Sequence, residues 1–410
     1  MTPSPTLQKR IESIDVLRGF ALFGIALVHM VEQYYAGQPP QAVMEATPST
    51  VGDQIAQGFV GLLIMGKFYM IFSFLFGLSF FIQLSKDNEQ RKFLLKFSWR
   101  LLILFAIGMI HHLHYRGDIL TIYAMLGFGL LVFYRLPDRW LLIISLLLVF
   151  NIPALATRAV QLFLSVESNP FDVEQDVLMA YYQAVKSGTY LEIIKANFEA
   201  FAYKMSFQVW SGRLYITLGL FLLGLYVGRK RFFENIAGHR LLLRKCIRYS
   251  LVTIGVSILI SLVIFGGSQA AGIGIPAPVG MLIGGFFYDL FNAALGLIYL
   301  CGILLLFEKE KWKALLLVLF PVGRMGLTTY LMQALFGTLI FFSYGLGLLN
   351  ELGALYCLFL GLLLFVLQIL FAHYWFRYFA FGPVEWLWRS LTHFRVERIA
   401  HPTRSHLPVS

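Results

Sequence analysis

Charged residues and cysteines are scarce in this 410-residue chain. Lys, Arg, Asp and Glu make up 13% of it, whereas soluble domains carry about a quarter. This scarcity excludes an ordinary soluble protein. Hydrophobic residues make up 58% of the chain, and the few charged residues could not form a water-exposed surface around them. Cys246, Cys301 and Cys357 stand in apolar stretches without paired spacing, which argues against a disulfide framework and a cysteine metal site.

Long apolar runs occupy most of the chain, and several approach or exceed the roughly 20 residues that span a bilayer core. The runs are continuously apolar rather than alternating, which favours helices over a barrel. We therefore predict an all-α polytopic membrane helix bundle, a single membrane domain over residues 1–410 with about ten transmembrane helices. The predicted spans are 14–31, 58–84, 93–112, 119–134, 139–163, 207–228, 246–266, 279–307, 325–345 and 352–373.

Basic residues gather in every second connection between these spans. Residues 32–57 contain no Lys or Arg, whereas the connection after the sixth span is strongly basic. Basic loops stay in the cytoplasm, so we predict that both termini are cytoplasmic and that residues 374–410 form a basic cytoplasmic tail. The net charge of +11 is then a topology signal, and no nucleic-acid partner is expected. The basic clusters include Lys9, Arg10, Lys86, Arg91, Lys92, Arg135, Arg139, Arg229, Lys230, Arg231, Arg240, Arg244, Lys309, Lys311, Lys313, Arg395 and Arg404.

The longest predicted external connection, residues 164–206, has mixed charge and apolar residues at helical spacing, as in "YLEIIKANFEAFAYKM". We interpret it as an external amphipathic loop with one or two interfacial helices; a lid over an external cavity is the alternative. The glycine-rich stretch 266–285 follows no strand, so we predict a flexible external turn rather than a phosphate-binding loop.

The first span carries Asp15, Arg18 and His29, although charges inside a bilayer are costly. Arg18 and His29 are eleven positions apart, about three turns, so both project from one face and lie ~16 Å apart along the axis. Arg18 then lies near the cytoplasmic end and His29 towards the outside. Interfacial pairing and helix packing explain these residues as well as a reaction site does.

A second polar group occurs in "GMIHHLHYRGDILTIY", where His111, His112 and Asp118 should lie at the level of His29. Histidine exchanges protons near neutral pH, and a nearby carboxylate can fix its tautomer. A metal site is the less favoured interpretation. His111, His112 and His114 cannot all point one way on a helix, and no His-Glu-x-x-His pattern occurs, so no metal is expected.

Three further charges fall in or next to apolar runs. Lys67 and Asp289 either line a pathway or form buried pairs. Arg324, at the cytoplasmic start of the ninth span, would form a cationic mouth for phosphate groups if it lay near Arg18.

Several stretches resemble the YeiB-like family of multi-pass bacterial membrane proteins: "DVLRGFALFGIALVHM", "GKFYMIFSFLFGLSFF", "IGMIHHLHYRGDILTIYAMLG", "GRMGLTTYLMQ" and "FGPVEWLWRSLT". Together they extend from residue 15 to residue 392. That family is similar to the transmembrane acyltransferase superfamily, which includes the acyltransferase-3 O-acetylases and the lysosomal heparan-alpha-glucosaminide N-acetyltransferase. Acyltransferase-3 proteins carry Arg, ten residues and His in the first helix, and Arg18 and His29 have this spacing.

The resemblance implies an acyltransferase of the bacterial inner membrane that uses acyl-CoA, with acetyl-CoA the expected donor. Arg18, with Asp15 and Arg324, would bind the donor, while His29, with Asp118 or His111, would serve acyl transfer to a small-molecule, glycan or lipid acceptor. The alternatives are a small-solute transporter or channel that uses the same charges, and a membrane scaffold without catalysis.

The predicted topology can be tested by cysteine labelling in a chain whose natural cysteines are replaced. A cysteine at Glu45 or Gln175 should react with a membrane-impermeant reagent added to intact cells, because both positions are expected outside. A cysteine at Gly238 should react only after the cells are opened, and its labelling in intact cells would overturn the predicted topology.

Overall fold

A computed structural model describes residues 11–37, 39–85, 89–164, 175–267 and 276–400, and the following account refers to these ranges. The regular structure in them is helical, apart from one isolated β-bridge between Phe379 and Ala400. The predicted all-α class is therefore confirmed for the described residues.

Some sequence predictions concern residues outside these ranges. They are Lys9, Arg10, Lys86 and Arg404 of the basic clusters, residues 165–174 of the external segment, residues 268–275 of the glycine-rich stretch, and the last ten residues of the basic tail.

The helices differ widely in length. In chain order they are α1 (Glu12–Val31), α2 (Gln41–Ala46), α3 (Val51–Phe59), α4 (Phe68–Leu84), α5 (Gln90–His114), α6 (Leu120–Phe133), α7 (Asp138–Val149), α8 (Ile152–Phe163), α9 (Gln175–Ser187), α10 (Tyr190–Trp210), α11 (Arg213–Arg229), α12 (Arg240–Leu262), α13 (Ala277–Phe307), α14 (Glu310–Leu316), α15 (Phe320–Arg324), α16 (Gly326–Phe341), α17 (Ala354–Tyr378) and α18 (Pro383–His393).

Six helical segments in the described ranges are long and apolar enough to cross a membrane, and up to nine spans result if each of three bent helix pairs is one span. The bent pairs are α7 with α8, α10 with α11, and α14–α15 with α16, at angles of 49°, 66° and 79°. α6 is a shorter apolar helix. The predicted number of about ten spans and the cytoplasmic termini stay predictions.

Two of the bends meet in space. Asn151, between α7 and α8, and Gly212, between α10 and α11, both have left-handed backbone conformations, with φ of 56° and 79°. Asn and Gly adopt this conformation more readily than other residues. A Cβ on Gly212 would lie 2.1 Å from Oδ1 of Asn151. The close approach of the two bends therefore requires glycine at this position.

α1 lies at the centre of the bundle, where it packs against α4, α15, α16 and α17. Within its apolar window 61% of the residues are buried, compared with 11% in the segment that contains α12. α12 packs mainly against α13. α1 is therefore enclosed by protein, whereas α12 presents most of its surface to the lipid.

Glycine lets α4 and α11 approach closely. A Cβ on Gly77 would lie 1.8 Å from the carbonyl oxygen of Phe221, and one on Gly224 would lie 2.1 Å from that of Phe74. Small residues at such contacts are typical of packed membrane helices, because dispersion rather than the hydrophobic effect holds the helices together in lipid.

Gly77→Val should destabilise the protein, because the new side chain would force α4 away from α11; overpacking of this kind costs about 1–3 kcal/mol. Thermal unfolding of the purified protein in detergent measures the effect. Gly255→Val is the matched control on α12, since a Cβ there would meet nothing within 4 Å. Equal melting temperatures for the two variants would contradict the packing described for Gly77.

Candidate functional site

His29, in the last turn of α1, lies in a chamber of three tyrosines. The centroid of its ring is 5.4 Å from those of Tyr34 and Tyr115 and 6.4 Å from that of Tyr330. His29 is only partly buried, and within the described ranges neither ring nitrogen has a hydrogen-bond partner. An imidazole held in this way can exchange a proton with a bound molecule.

His111, near the end of α5, forms a buried pair with Asp118. Its Nδ1 is 2.8 Å from Oδ1 of Asp118, which lies in the connection to α6. When Nδ1–H of a neutral imidazole donates a hydrogen bond to the carboxylate, Nε2 carries the free lone pair. That Nε2 is buried and has no hydrogen-bond partner among the described residues. The pair is thus arranged as a carboxylate-oriented base.

Asp118 is held by further hydrogen bonds at the start of α6. Its carboxylate accepts hydrogen bonds from the backbone N–H groups of Leu120 and Thr121, at 2.9 and 3.0 Å, and from the hydroxyl of Thr121, at 2.7 Å. Burial alone would raise the pKa of Asp118, but the hydrogen bond and charge of His111 and the charge of Lys204 hold this pKa below its usual value. Asp118 is therefore a carboxylate at neutral pH.

Lys204 of α10 completes this network from the opposite side. Its ammonium donates to Nδ1 of His112 at 3.0 Å, to the carbonyl of Asp118 at 3.2 Å and to the hydroxyl of Thr121 at 2.9 Å. The Nζ atom also lies 3.6 Å from Oδ2 of Asp118. Three N–H donors thus meet three acceptors, as a buried ammonium requires. The network joins α5, α10 and the start of α6.

The three histidines of α5 occupy different environments. His111 pairs with Asp118, His112 accepts from Lys204, and His114 is partly buried with its Nε2 2.7 Å from the hydroxyl of Tyr190. Successive residues on a helix are about 100° apart, which explains the divergence. Over the ranges that the structure describes, no group of three His, Cys, Asp or Glu residues is arranged to hold a metal ion.

His111 reaches the same tyrosines as His29. Its ring centroid is 5.1 Å from that of Tyr330 and 5.8 Å from that of Tyr115. The structure therefore brings the predicted residue His29 together with His111 and Asp118, which lie in a later part of the chain. We call this group, with its tyrosines, the histidine chamber. The two imidazoles share Tyr115 and Tyr330 as neighbours and lie within electrostatic reach of one another. Their catalytic roles stay predictions.

Charged groups also approach the histidine chamber from α1 and α11. Arg213, at the start of α11, lies within electrostatic reach of both His29 and Glu32. Glu32 follows the last residue of α1, and burial raises the pKa of its carboxyl, an effect that Arg213 opposes. The end of the bundle at which α1 ends thus concentrates ionisable groups of both signs.

α9 covers this side of the bundle. Arg116 is stacked between two rings, with its guanidinium carbon 3.6 Å from the ring centroid of Tyr181 on α9 and 4.5 Å from that of Tyr35. It also donates to the carbonyl of Tyr35 at 2.8 Å. The segment predicted as an external loop therefore contains helices that pack on the bundle, since α10 supplies Lys204 and α9 supplies Tyr181.

At the other end of α1, Arg18 is paired. Its Nη1 donates to Oδ1 of Asp15 at 2.8 Å, and its Nη2 donates to the hydroxyl of Ser79 on α4. Asp15 is buried, whereas a quarter of the Arg18 side chain is exposed. Asp15 therefore orients Arg18 and offsets its positive charge. As an anion, Asp15 cannot itself contact a phosphate.

Arg324 is held by a different helix. α15 approaches α1 closely, because a Cβ on Gly323 would lie 1.8 Å from the carbonyl oxygen of Asp15. The Arg324 side chain nevertheless stacks on Phe376 of α17, at 4.2 Å, and donates to the carbonyl of Ala380 at 2.8 Å. Arg18 thus contacts α4, whereas Arg324 contacts α17. A cationic mouth formed by both arginines stays a prediction.

Sequence reasoning missed several residues of the histidine chamber. Lys204 was one of many charges in a mixed-charge segment, and only its apolar neighbours in "EAFAYKM" distinguish it. No sequence motif marks Tyr115 or Tyr330 as a residue of the site. Arg213 follows a glycine between two apolar runs, which is the signal of a helix break rather than of a site.

The fold and this chamber define a class: an all-helical, multi-pass membrane protein with a buried histidine–carboxylate pair facing a second histidine. Residues 227–395 match the family described as "Protein of unknown function (DUF418)". The chain is 31% identical to the "Uncharacterized protein YxaH" of Bacillus subtilis over 98% of both chains. It is 28% identical to an uncharacterized 39.9 kDa protein of Bacillus acidopullulyticus over 95% of both.

A shorter stretch of 78 residues is 47% identical to the "Uncharacterized protein YeiB" of Escherichia coli, over 19% of this chain and 20% of that protein. The chain therefore belongs to the YeiB-like DUF418 family, as the sequence motifs indicated. The relationship of this family to acyltransferase-3 enzymes stays a prediction.

Lys204→Met should lower the melting temperature of the purified protein strongly, because removing one member of a buried ion pair costs about 3–5 kcal/mol. Lys195→Met is the matched control, since Lys195 lies on the same helix with 76% of its side chain exposed. The double variant Asp118→Asn, Lys204→Met should recover part of the loss. Strict additivity of the two single effects would contradict the coupling of Lys204 to Asp118.

Proposed function

We propose that this protein is a transmembrane acyltransferase of the bacterial cytoplasmic membrane, which moves an acyl group from cytoplasmic acyl-CoA, acetyl-CoA above all, to an acceptor at the outer side. The observation that carries the proposal is the Asp118–His111 pair: its Nε2 has no hydrogen-bond partner among the described residues, and its ring contacts Tyr115, which also contacts His29. A carboxylate-oriented imidazole is the usual general base for activating a hydroxyl or amine.

The chemistry assigns one step to the histidine chamber. An imidazole, His111 or His29, takes the proton of an acceptor hydroxyl or amine as that atom attacks the thioester carbonyl. The C–S bond then breaks, and the thiolate of CoA leaves and receives the proton from the imidazolium. Asp118 stabilises the cationic state of His111 without itself being protonated.

Donor binding is assigned to the cytoplasmic end of α1. Arg18 is oriented by Asp15 and Ser79 and keeps part of its side chain exposed, so it can face a phosphate or diphosphate group. The ~16 Å between Arg18 and His29 along the helix is a distance that only an extended donor spans. An acyl-CoA has its acidic groups and its thioester at opposite ends of a long arm.

A small-solute transporter is the second candidate. It is favoured by the broken helices, because helix breaks at membrane depth are typical of transporter binding sites. The same imidazoles would then relay protons or contact the solute. The two candidates differ in one outcome: only the acyltransferase forms a new covalent bond.

The test uses the purified protein in vesicles supplied with acetyl-CoA labelled in its acetyl group. Label should appear in lipid, glycan or a small-molecule acceptor, and His29→Ala and His111→Ala should each lower the rate about 10²–10⁴-fold, the usual effect of losing a general base. His114→Ala is the matched control, because His114 is a partly buried histidine of the same helix whose ring contacts Tyr190, outside the chamber.

Arg18→Gln should instead weaken CoA binding, which equilibrium binding of CoA measures, because it removes a charge directed at phosphate. If no label is transferred across a broad acceptor panel, while a solute flux depends on His29, the transporter candidate replaces the acyltransferase. Unchanged transfer in both chamber variants would overturn the assigned chemistry.

A further inference from the structure

A second polar site lies beside the histidine chamber, where three helix breaks converge. Gly66 precedes α4, Ser211 follows α10, and Asn151 separates α7 from α8. A cavity of about 250 Å³ opens there. Broken helices at bilayer depth occur where the backbone is buried in protein or lines a cavity. The residues that line this cavity include Gly66, Tyr69, Arg158, Ser211, Arg213 and Asp289.

Side chains of the protein bond to backbone carbonyl groups that the helix breaks leave without helical partners. Lys67 is fully buried and donates to the carbonyls of Met65 and Gly61, at 2.8 and 3.3 Å. Arg158 donates to the carbonyls of Trp210 and Ser211, both at 3.1 Å. These two cations are therefore used to stabilise the backbone at the breaks.

Arg213 and Asp289 are not used in this way. The guanidinium of Arg213 lies between the rings of Tyr69 and Phe207, at 5.5 and 5.4 Å, and among the described residues it has no hydrogen-bond partner. Asp289 accepts one hydrogen bond, from Nδ2 of Asn151 at 2.8 Å, and its other oxygen has no partner in the same ranges. Both line the cavity, and each retains hydrogen-bonding capacity.

The two charges are within electrostatic reach of one another, yet they do not form an ion pair. In a low-dielectric environment, opposite charges that stay unpaired are costly unless a third partner satisfies them. The cavity holds them apart instead of letting them close on each other. A molecule with an anion at one end and a donor cation at the other end matches this arrangement.

We propose that this cavity binds a small zwitterion, with its phosphate or carboxylate against Arg213 and its primary ammonium against Asp289. The volume is below the roughly 300–1,000 Å³ of sites for drug-sized ligands, so it suits a group of headgroup size. Tyr288, at the rim on α13, is 53% exposed, which leaves the cavity accessible from the side of the bundle. An ethanolamine phospholipid headgroup and a free amino acid share this chemistry.

Binding is tested by titrating the purified full-length protein in detergent with phosphoethanolamine and with glycine. At least one should bind, and phosphocholine and inorganic phosphate should bind about tenfold or more weakly, because they lack N–H donors for Asp289. Arg213→Gln and Asp289→Asn should each reduce affinity by about tenfold or more. Arg139→Gln and Glu310→Gln are controls at exposed cytoplasmic-side positions.

A second arm separates the two sources of the ligand. The protein is taken from nanodiscs that contain phosphatidylethanolamine or phosphatidylglycerol, and native mass spectrometry counts the retained lipid. If the unchanged protein retains phosphatidylethanolamine and the Arg213→Gln variant does not, the ligand is a lipid headgroup. If a probe binds in the titration and no lipid is retained, the ligand is a free zwitterion.

The proposal is overturned if neither probe binds and neither lipid is retained selectively, or if phosphate alone binds as well as phosphoethanolamine. The titration series on the unchanged protein decides this even if a variant fails to fold. No acyl donor is needed, so the outcome is independent of the proposed acyl transfer.

Discussion

Each charge and each broken helix at bilayer depth must find its partners inside the protein, because lipid supplies none. Asp118 shows how this constraint organises the end of the bundle that contains the histidine chamber. Its carboxylate and carbonyl oxygens receive hydrogen bonds from α5, α6 and α10. The position of Lys204, and with it the packing of α10, follows from that requirement.

The same constraint separates structural charges from those that remain available. Lys67 and Arg158 are engaged with the carbonyls of helix breaks, and Lys204 is engaged with three acceptors. The imidazole of His29 and the guanidinium of Arg213 have no such partner in the described ranges. Groups that the fold does not use are the ones available to a substrate or ligand.

The two sites therefore lie on one side of the molecule and meet at Arg213, which is an electrostatic neighbour of both His29 and Asp289. The histidine chamber contains two imidazoles, and the cavity beside it contains opposite charges that do not form an ion pair. A ligand in the cavity would change the field at His29.

The sequence by itself determined the helical class, the membrane environment, the family and the placement of His29, His111 and Asp118 near one end of the bundle. These follow from hydropathy, helical period and short motifs, which are local properties. Only the tertiary structure decided that Lys204 joins Asp118 and that Arg324 stacks on Phe376. It also decided that Gly66 and Ser211 line one cavity with Asp289, the hydrogen-bond partner of Asn151. Such contacts join positions far apart in the chain, and the way helices pack against one another is not encoded in the period of any single helix.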